Sequence, residues 1–263
     1  MDTTEIDDGL WGVRADDWAH IQQRTITPAS IAVLDELQMH HGEAILDIGC
    51  GEGTFSALTR ERGAVAAGID ACVPLIAIAR RHTPDGDFRV GDMEHLPFPD
   101  HTFHAVTAFN SLHFAHNPAQ AIREAIRVLR PGGRLVLATW GPPDECDAIT
   151  YLVDLGALMP PDSSLTAIGI DATDLDALGA TVAAAGLHRS PTRVIPCPWE
   201  YCDLDTALRG LLSTGPAARA IEHCGLAHVQ ETITESIAPY RRDDGSYILD
   251  NTCHYLIAQH PHR

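Results

Sequence analysis

Between residues 44 and 140 short apolar runs alternate with stretches whose apolar positions recur at helical spacing. Ala44-Ile-Leu-Asp-Ile48 reads as a buried strand that stops at glycines, and residues 55–62 continue as a helix. Val65-Ala-Ala-Gly-Ile69 is a second strand, followed by a helix carrying Leu75, Ile76 and Ala79. Phe88-Arg-Val90 and His104-Ala-Val-Thr-Ala-Phe109 are the third and fourth strands. Asn117-Pro118 supplies an N-cap and a proline at the first helical position. The helix it opens spaces Ala121, Ile122, Ala125, Ile126 and Leu129 on one face, and Pro131-Gly132-Gly133 stops it before a fifth strand, Arg134 to Trp140. Strands alternating with helices in this way predict an α/β domain with a largely parallel sheet.

Beyond Trp140 the alternation loosens. Thr173-Asp-Leu-Asp176 reads as a capping box for a helix running to Gly186. Arg193 to Cys197 reads as a strand that its proline assigns to an edge. Residues 204–240 read as two helical pieces, one with Leu204, Leu208, Leu211 and Leu212, the other with Leu226, Val229, Ile233 and Ile237. Tyr247-Ile-Leu and residues 253–258 are the last strand signals, and Thr27-Pro28 opens a helix near the start of the chain.

The 263 residues are 45% apolar and 21% charged, which fits a globular chain with ample core. The net charge is −18, and all 18 cations are arginine. Without lysine, Schiff-base chemistry, a lysine phosphate loop and a kinase-type site are excluded. The acidity also argues against nucleic-acid partners, whose binding rests on cationic patches. No apolar span or leader pattern stands out, so a cytoplasmic protein with no membrane partner is expected. Seven scattered cysteines form no CxxC pair, and the His pairs lack a carboxylate completion, so no metal site is expected.

The chemistry concentrates at strand ends. Asp47-Ile-Gly49-Cys-Gly51-Glu-Gly53 lies where the first strand gives way to a helix, and glycines there let a ligand lie against bare backbone. A dinucleotide fingerprint needs a third glycine three residues after the second, and Gly53 comes one residue early. Asp47, two residues before the first glycine, can take an ammonium group or brace the turn. Asp70 ends the second strand, where a carboxylate can hold both hydroxyls of a ribose; alone it could equally cap the next helix. Asp92, followed by Met93, can accept from an exocyclic amine while Met93 packs on a purine; alone it is an ordinary turn residue. Together they suit an adenosine bearing a cationic amino-acid tail.

These motifs resemble the class I S-adenosylmethionine-dependent methyltransferases of the small-molecule, ubiquinone-biosynthesis-like group (methyltransferase type 11). The resemblance runs over residues 40–140 and rests on ILDIGCGEGTF (45–55), GID (68–70), VGDMEHLPFPDHTFHAV (90–106), FNSLHF (109–114) and VLRPGGRLVLATW (128–140). It implies a Rossmann-like, doubly wound, mostly parallel seven-stranded sheet with an antiparallel last strand at 253–258. The helical patterns are read as residues 1–40 forming a helical lid and a helical insert at about 203–245, which together roof the carboxyl edge of the sheet of a cofactor domain at 41–263. By the same resemblance Gly49, Gly51 and the backbone of Gly53 line the methionine moiety, and Asp47 beside them is a cofactor-binding candidate with a partly structural role. Asp70 with Ala71 holds the ribose, Asp92 and Met93 the adenine, and Asn110 approaches from the fourth strand. Trp18, with Trp11, lies in the lead-in segment that folds over the cofactor, S-adenosylmethionine, and its product S-adenosylhomocysteine.

The implied reaction is methyl transfer to O, N or C of a small organic acceptor, in specialised metabolism. The alternative is a cyclase-like or binding protein that uses the cofactor fold without transferring methyl. His113, just past the fourth strand, is the candidate base if the acceptor must lose a proton, with packing as its plainer role; His20, His223, His254 and Tyr240 stand behind it. The Asn/Asp-Pro-Pro-Tyr/Phe motif of enzymes that methylate nucleic-acid amines is absent, so a small molecule is the expected partner, and a homodimer is compatible with the sequence.

Overall fold

Side chains of a strand alternate between the two faces of its sheet, so a strand covered on both sides is apolar throughout. The computed structural model, which describes residues 8–160 and 174–262, arranges the central strands in this way. In chain order the elements are α1 (Ala15–His20), α2 (Thr27–Leu37), β1 (Ala44–Ile48), α3 (Thr54–Glu61), β2 (Val65–Asp70), α4 (Val73–His82), β3 (Asp87–Val90), β4 (Phe103–Phe109), α5 (Pro118–Val128) and β5 (Leu129–Trp140). There follow α6 (Ile149–Ala157), α7 (Leu175–Ala184), β6 (His188–Arg189), β7 (Arg193–Pro196), β8 (Trp199–Tyr201), α8 (Leu204–Leu212), α9 (Gly215–Cys224), α10 (Leu226–Ile237), β9 (Tyr247–Leu249) and β10 (Thr252–Gln259).

The main sheet has the order β3-β2-β1-β4-β5-β10, with β6 and β7 both paired to the outer side of β10. The first five strands are parallel and β10 runs antiparallel to β5, setting Cys253 beside Trp140 and His254 beside Thr139. Leu46, Ile48, Val106, Leu135, Leu137 and Leu256 pack on one face with Ala121, Ile122 and Ala125 of α5 and Leu178 and Val182 of α7. Ile45, Ala105, Val136, Ala138 and Tyr255 pack on the other with Val33, Leu34 and Leu37 of α2. A third apolar cluster joins Tyr151 and Leu155 of α6 to Trp199, Leu211, Val229, Ile233 and Leu249, forming a layer beyond the end of the sheet. Each fully buried Leu or Ile removes enough apolar surface to contribute about 1.5–3 kcal/mol before chain entropy is subtracted.

The doubly wound α/β fold and its antiparallel last strand are as expected, with differences in detail. The expected seven-stranded sheet has eight strands, because the edge position outside β10 is divided into β6 and β7 where Ser190 and Pro191 interrupt it, and proline cannot donate to a ladder. Strand β7 is an edge strand, as its proline implied. The helix opened by Asn117, whose side chain accepts from the Gln120 amide at 3.1 Å, ends at Val128, and Leu129 already pairs with Phe103. The cap of α7 is Asp174, whose carboxylate accepts from the amides of Asp176 and Ala177; Thr173 lies outside the described residues. Residues 204–240 hold three helices rather than two. The overlooked one, α9, buries only small side chains, Ala217, Ala218 and Ala220, and so leaves no large apolar stripe to read. Tyr247-Ile-Leu pairs with β8 in a separate two-stranded sheet rather than joining the main one.

No helix among the described residues is long and apolar enough to cross a membrane.

Candidate functional site

The strand order reverses between β1 and β4, and in open α/β sheets ligands bind in the crevice outside the strand ends at such a point. Here the crevice is a cavity of about 1150 Å³. A single small-molecule site is typically ~300–1,000 Å³, so this one has room for a cofactor and an acceptor together. Asp47, Gly49, Gly51, Asp70, Ala71, Asp92, Met93, Asn110, His113 and Trp18 all line it.

The turn after β1 is shaped by close approach. Gly49 has φ +73°, and a Cβ there would lie 2.3 Å from the Ser111 Cβ; the Ser111 hydroxyl in turn donates to the Ile48 carbonyl at 2.7 Å. Any side chain at 49 would push β1 away from the segment after β4. Gly51, at φ +53°, is different: a Cβ there would meet nothing nearer than Trp18 Nε1, at 3.8 Å, so its bare backbone borders open space. Gly53 is not on the cavity wall. It caps α3 at φ +86°, and a Cβ there would sit 3.1 Å from that of Ala79, so the structure makes it a packing glycine behind the turn.

The acids sit at successive strand ends. Asp70 accepts the Gly51 amide at 2.8 Å through one oxygen and the Cys72 amide at 2.8 Å through the other, tying the glycine turn to the end of β2. Asp92 accepts the Glu94 amide at 2.8 Å, and His95 Nδ1 lies 3.4 Å from its other oxygen. Arg127 fixes the loop that follows, donating to the carbonyls of Leu96 and Phe98 and to Asp100 and Glu124. Asp47 is buried and accepts from the Thr107 hydroxyl at 2.7 Å. Burial pushes its carboxyl up to about 7, helped by the nearby charges of Asp70 and Glu52 and opposed by the Thr107 bond. Glu52, which the sequence reading passed over, is also buried; desolvation raises its carboxyl pKa, opposed by the Thr54 amide and by His82, whose Nδ1 lies 3.5 Å away. A glycine turn ringed by acids is an electrostatic setting for a cation.

Asn110 has φ +48°, and its side-chain oxygen accepts the Trp140 amide at 2.8 Å, so it braces the ends of β4 and β5 at the cavity floor. Trp18 covers the turn from the N-terminal segment; its buried Nε1 has no partner in the protein, and Trp11 meets its ring edge-on at 4.7 Å. Trp11 also touches Phe114 at 5.6 Å, and Asp17 pairs with Arg209 of α8 at 2.7 Å, so this segment is fastened on both sides of the cavity.

The His113 ring packs on Phe114 at 4.1 Å, and burial lowers its pKa to about 4. Its Nδ1 is buried without a hydrogen-bond partner. Of the other proton-transfer candidates only His254 lines the cavity; His20, His223 and Tyr240 are not among its described walls. His254 Nε2 lies 2.8 Å from Glu145, which also accepts from the Thr252 hydroxyl. The far end of the cavity is built from Trp140, Tyr151 and Trp199, none of which the sequence reading had placed there.

Parts of this chain are similar to known proteins. Residues 46–137 match the family described as "Methyltransferase domain". A demethylmenaquinone methyltransferase of Paenarthrobacter aurescens is 35% identical over 111 residues, 42% of this chain and 44% of that protein. A malonyl-[acyl-carrier protein] O-methyltransferase of Serratia marcescens is 33% identical over 100 residues, 38% of this chain and 39% of that protein. The alignments thus span less than half of these relatives. Among solved structures, the YcgJ protein of Bacillus subtilis superposes with a TM-score of 0.61 at 20% identity, covering 89% of this chain and 99% of that one. The [4+2]-cyclase SpnF gives 0.58 at 22% identity, covering 89% and 81%. Residues 46–137 are therefore similar to the methyltransferase-domain family, in a chain that shares the Rossmann-like fold of these solved structures.

Proposed function

We propose that the protein transfers the methyl group of S-adenosylmethionine to a small organic acceptor. The observation that carries this reading is the glycine turn and three acids, at the ends of β1, β2 and β3, opening into one cavity. The cavity fits the cofactor on its own terms: backbone at Gly51 borders open space, acids surround it, and no arginine is among its described walls to repel a cationic ligand. In this reading Asp70 holds the ribose hydroxyls, Asp92 and Met93 the adenine, Asp47 the ammonium end, and Trp18 with the N-terminal segment closes over them as a lid. Held by these residues, the cofactor would supply an electrophilic methyl group for in-line displacement from sulfur, and a proton lost by the acceptor would go to a protein base. The protein's part is alignment and exclusion of water, effects worth up to ~7–11 kcal/mol in well-oriented reactions.

The relatives are named for different acceptors, demethylmenaquinone and malonyl-[acyl-carrier protein], and each likeness covers less than half of this chain. The acceptor must therefore be found by experiment. Incubating the purified protein and methyl-labelled S-adenosylmethionine with a metabolite extract is expected to label an organic product. Binding of the cofactor with no labelled product would favour a cyclase-like or binding protein on the same fold.

His113 is the proposed base because it lies just past β4, beside Asn110 and Ser111 at the cavity floor. Its pKa of about 4 leaves it uncharged at neutral pH, so it can accept a proton but must pass it on. His113→Gln is expected to lower kcat by ~10²-fold and leave the affinity for S-adenosylhomocysteine within about twofold, as for loss of a general base. An unchanged kcat would reduce His113 to packing. The wild-type rate is expected to show no inflection from this group between pH 6 and 8.

A further inference from the structure

Alternation along a strand fixes the face that each side chain takes. Between β5 and β10, Leu137 pairs with Leu256 and Thr139 with His254, so the second pair points to the same face as the first, the one covered by α5 and α7. Leu137 and Leu256 are sealed in the core, whereas Thr139 and His254, one repeat of the pleat further on, line the cavity. His254 is held from behind. Its Nε2 lies 2.8 Å from the Glu145 carboxylate, and the Thr252 hydroxyl donates to the same oxygen at 2.8 Å. Gly141 makes the room for this trio: a Cβ there would lie 2.1 Å from Thr252 Oγ1, 3.2 Å from His254 Nε2 and 3.4 Å from Glu145 Oε2.

The hydrogen bonds from His254 and then Thr252 hold the Glu145 carboxyl below the ordinary carboxylate range, so at neutral pH it is ionised and can only accept. Nε2 must therefore carry the hydrogen, and in the neutral ring Nδ1 is left as a bare lone pair. Nδ1 has no partner among the described residues, and unlike His113 Nδ1 it is not sealed away from a ligand. What such a nitrogen recognises is a donor. An O–H or N–H brought to it completes a hydrogen bond; a ketone, ether or ester oxygen does not, and a carboxylate or phosphate meets a lone pair backed by the Glu145 charge. Neighbouring strands lie about 4.8 Å apart, so β10 is about 10 Å from β4, beyond which His113 lies. A group held at His254 is then a second point on the acceptor, apart from the atom that gives its proton to His113.

We propose that His254 binds the methyl acceptor by taking, through Nδ1, a hydrogen bond from an O–H or N–H group on it, and that Glu145 is the positioning residue that keeps this nitrogen bare and aimed. This rests on the reading that the same cavity holds S-adenosylmethionine and an acceptor together.

The test titrates a small-molecule metabolite extract, as the source of acceptor, against the purified protein and methyl-labelled S-adenosylmethionine. His254→Phe keeps a ring and removes both nitrogens. It is expected to raise the extract concentration for half-maximal labelling ~10-fold while the maximal rate falls no more than about threefold, the pattern of lost binding rather than lost chemistry. His254→Asn, whose amide oxygen can stand near the place of Nδ1, is expected to recover most of that loss, and Glu145→Ala to lose ~5-fold. Calorimetry is expected to give S-adenosylhomocysteine affinities within about twofold of wild type in these variants, since the cofactor end is untouched. Independently of turnover, carbethoxylation of His254 by diethyl pyrocarbonate, mapped by peptide mass spectrometry, is expected to slow about fivefold in extract at about four times its half-saturating concentration over saturating S-adenosylhomocysteine. An unchanged half-maximal concentration in His254→Phe, a fall in rate alone, a matching loss of S-adenosylhomocysteine affinity, or no protection of the ring would overturn the inference. Protection of His254 with no labelled product would uphold this site and overturn methyl transfer instead, so the two failures are told apart.

Discussion

Asp70→Ala is expected to weaken binding of S-adenosylhomocysteine by at least ~100-fold. A hydrogen bond to a charged group is worth about 1.5–3 kcal/mol, and a carboxylate at the end of β2 can make two with a ribose, giving about 3–6 kcal/mol or ~10²–10⁴ in affinity. The same carboxylate accepts the amides of Gly51 and Cys72, so the substitution also loosens the glycine turn. Asp70→Asn separates the two effects, because its amide oxygen can still take one backbone amide while the charge is lost. Isothermal titration of both variants, with circular dichroism to show that each is folded, makes the comparison. Unchanged affinity in Asp70→Ala would remove the ribose from this carboxylate.

The second large effect belongs to Asp47. In the folded protein its carboxyl is pushed up to about 7, chiefly by burial, whereas in an unfolded chain it ionises in the ordinary carboxylate range. The folded state therefore binds the proton more tightly. The stability this gives is present at low pH and is lost as pH rises through about 7, the reverse of the usual behaviour of a salt-bridged aspartate. The full difference is on the order of 4 kcal/mol, so the ligand-free protein is expected to become markedly easier to unfold with urea between pH 5 and pH 8. Asp47→Asn, which cannot ionise, is expected to flatten that dependence and to be the more stable protein at pH 8. A cationic ligand end beside Asp47 favours its charged form. Binding of S-adenosylhomocysteine at pH 6.5 is then expected to release up to about three-quarters of a proton, measured as the dependence of binding heat on the ionisation enthalpy of the buffer. Release that persists in Asp47→Asn would place the coupled group elsewhere.

The parts of this site that are legible in the sequence are those where function is local. A strand, a glycine turn and an acid at the next strand end fall within residues 44–70, and their spacing states their geometry. What is not legible depends on contacts between distant residues. Gly53 reads like its two neighbours, yet its reason for being glycine is Ala79, which lies in α4 on the far side of β2 in the chain. The low pKa of His113 follows from burial that no local pattern reveals. Glu145 and His254 lie 109 positions apart and meet only because β10 runs back along β5. Trp140, Tyr151 and Trp199 come from a strand end, a helix and a short outlying strand, with no shared period to connect them. Helix α9 escapes notice for the opposite reason, since its buried side is alanine and a hydrophobic pattern needs large side chains to show.

The central claim is that the cleft beside the glycine turn receives a methyl-donor nucleoside. Titrating S-adenosylhomocysteine into the purified chain is its most direct test. The account predicts saturable one-to-one binding with a dissociation constant of roughly 1–100 μM, or about −8 to −5 kcal/mol. A flat thermogram with up to millimolar ligand, from protein shown to be folded, would contradict it.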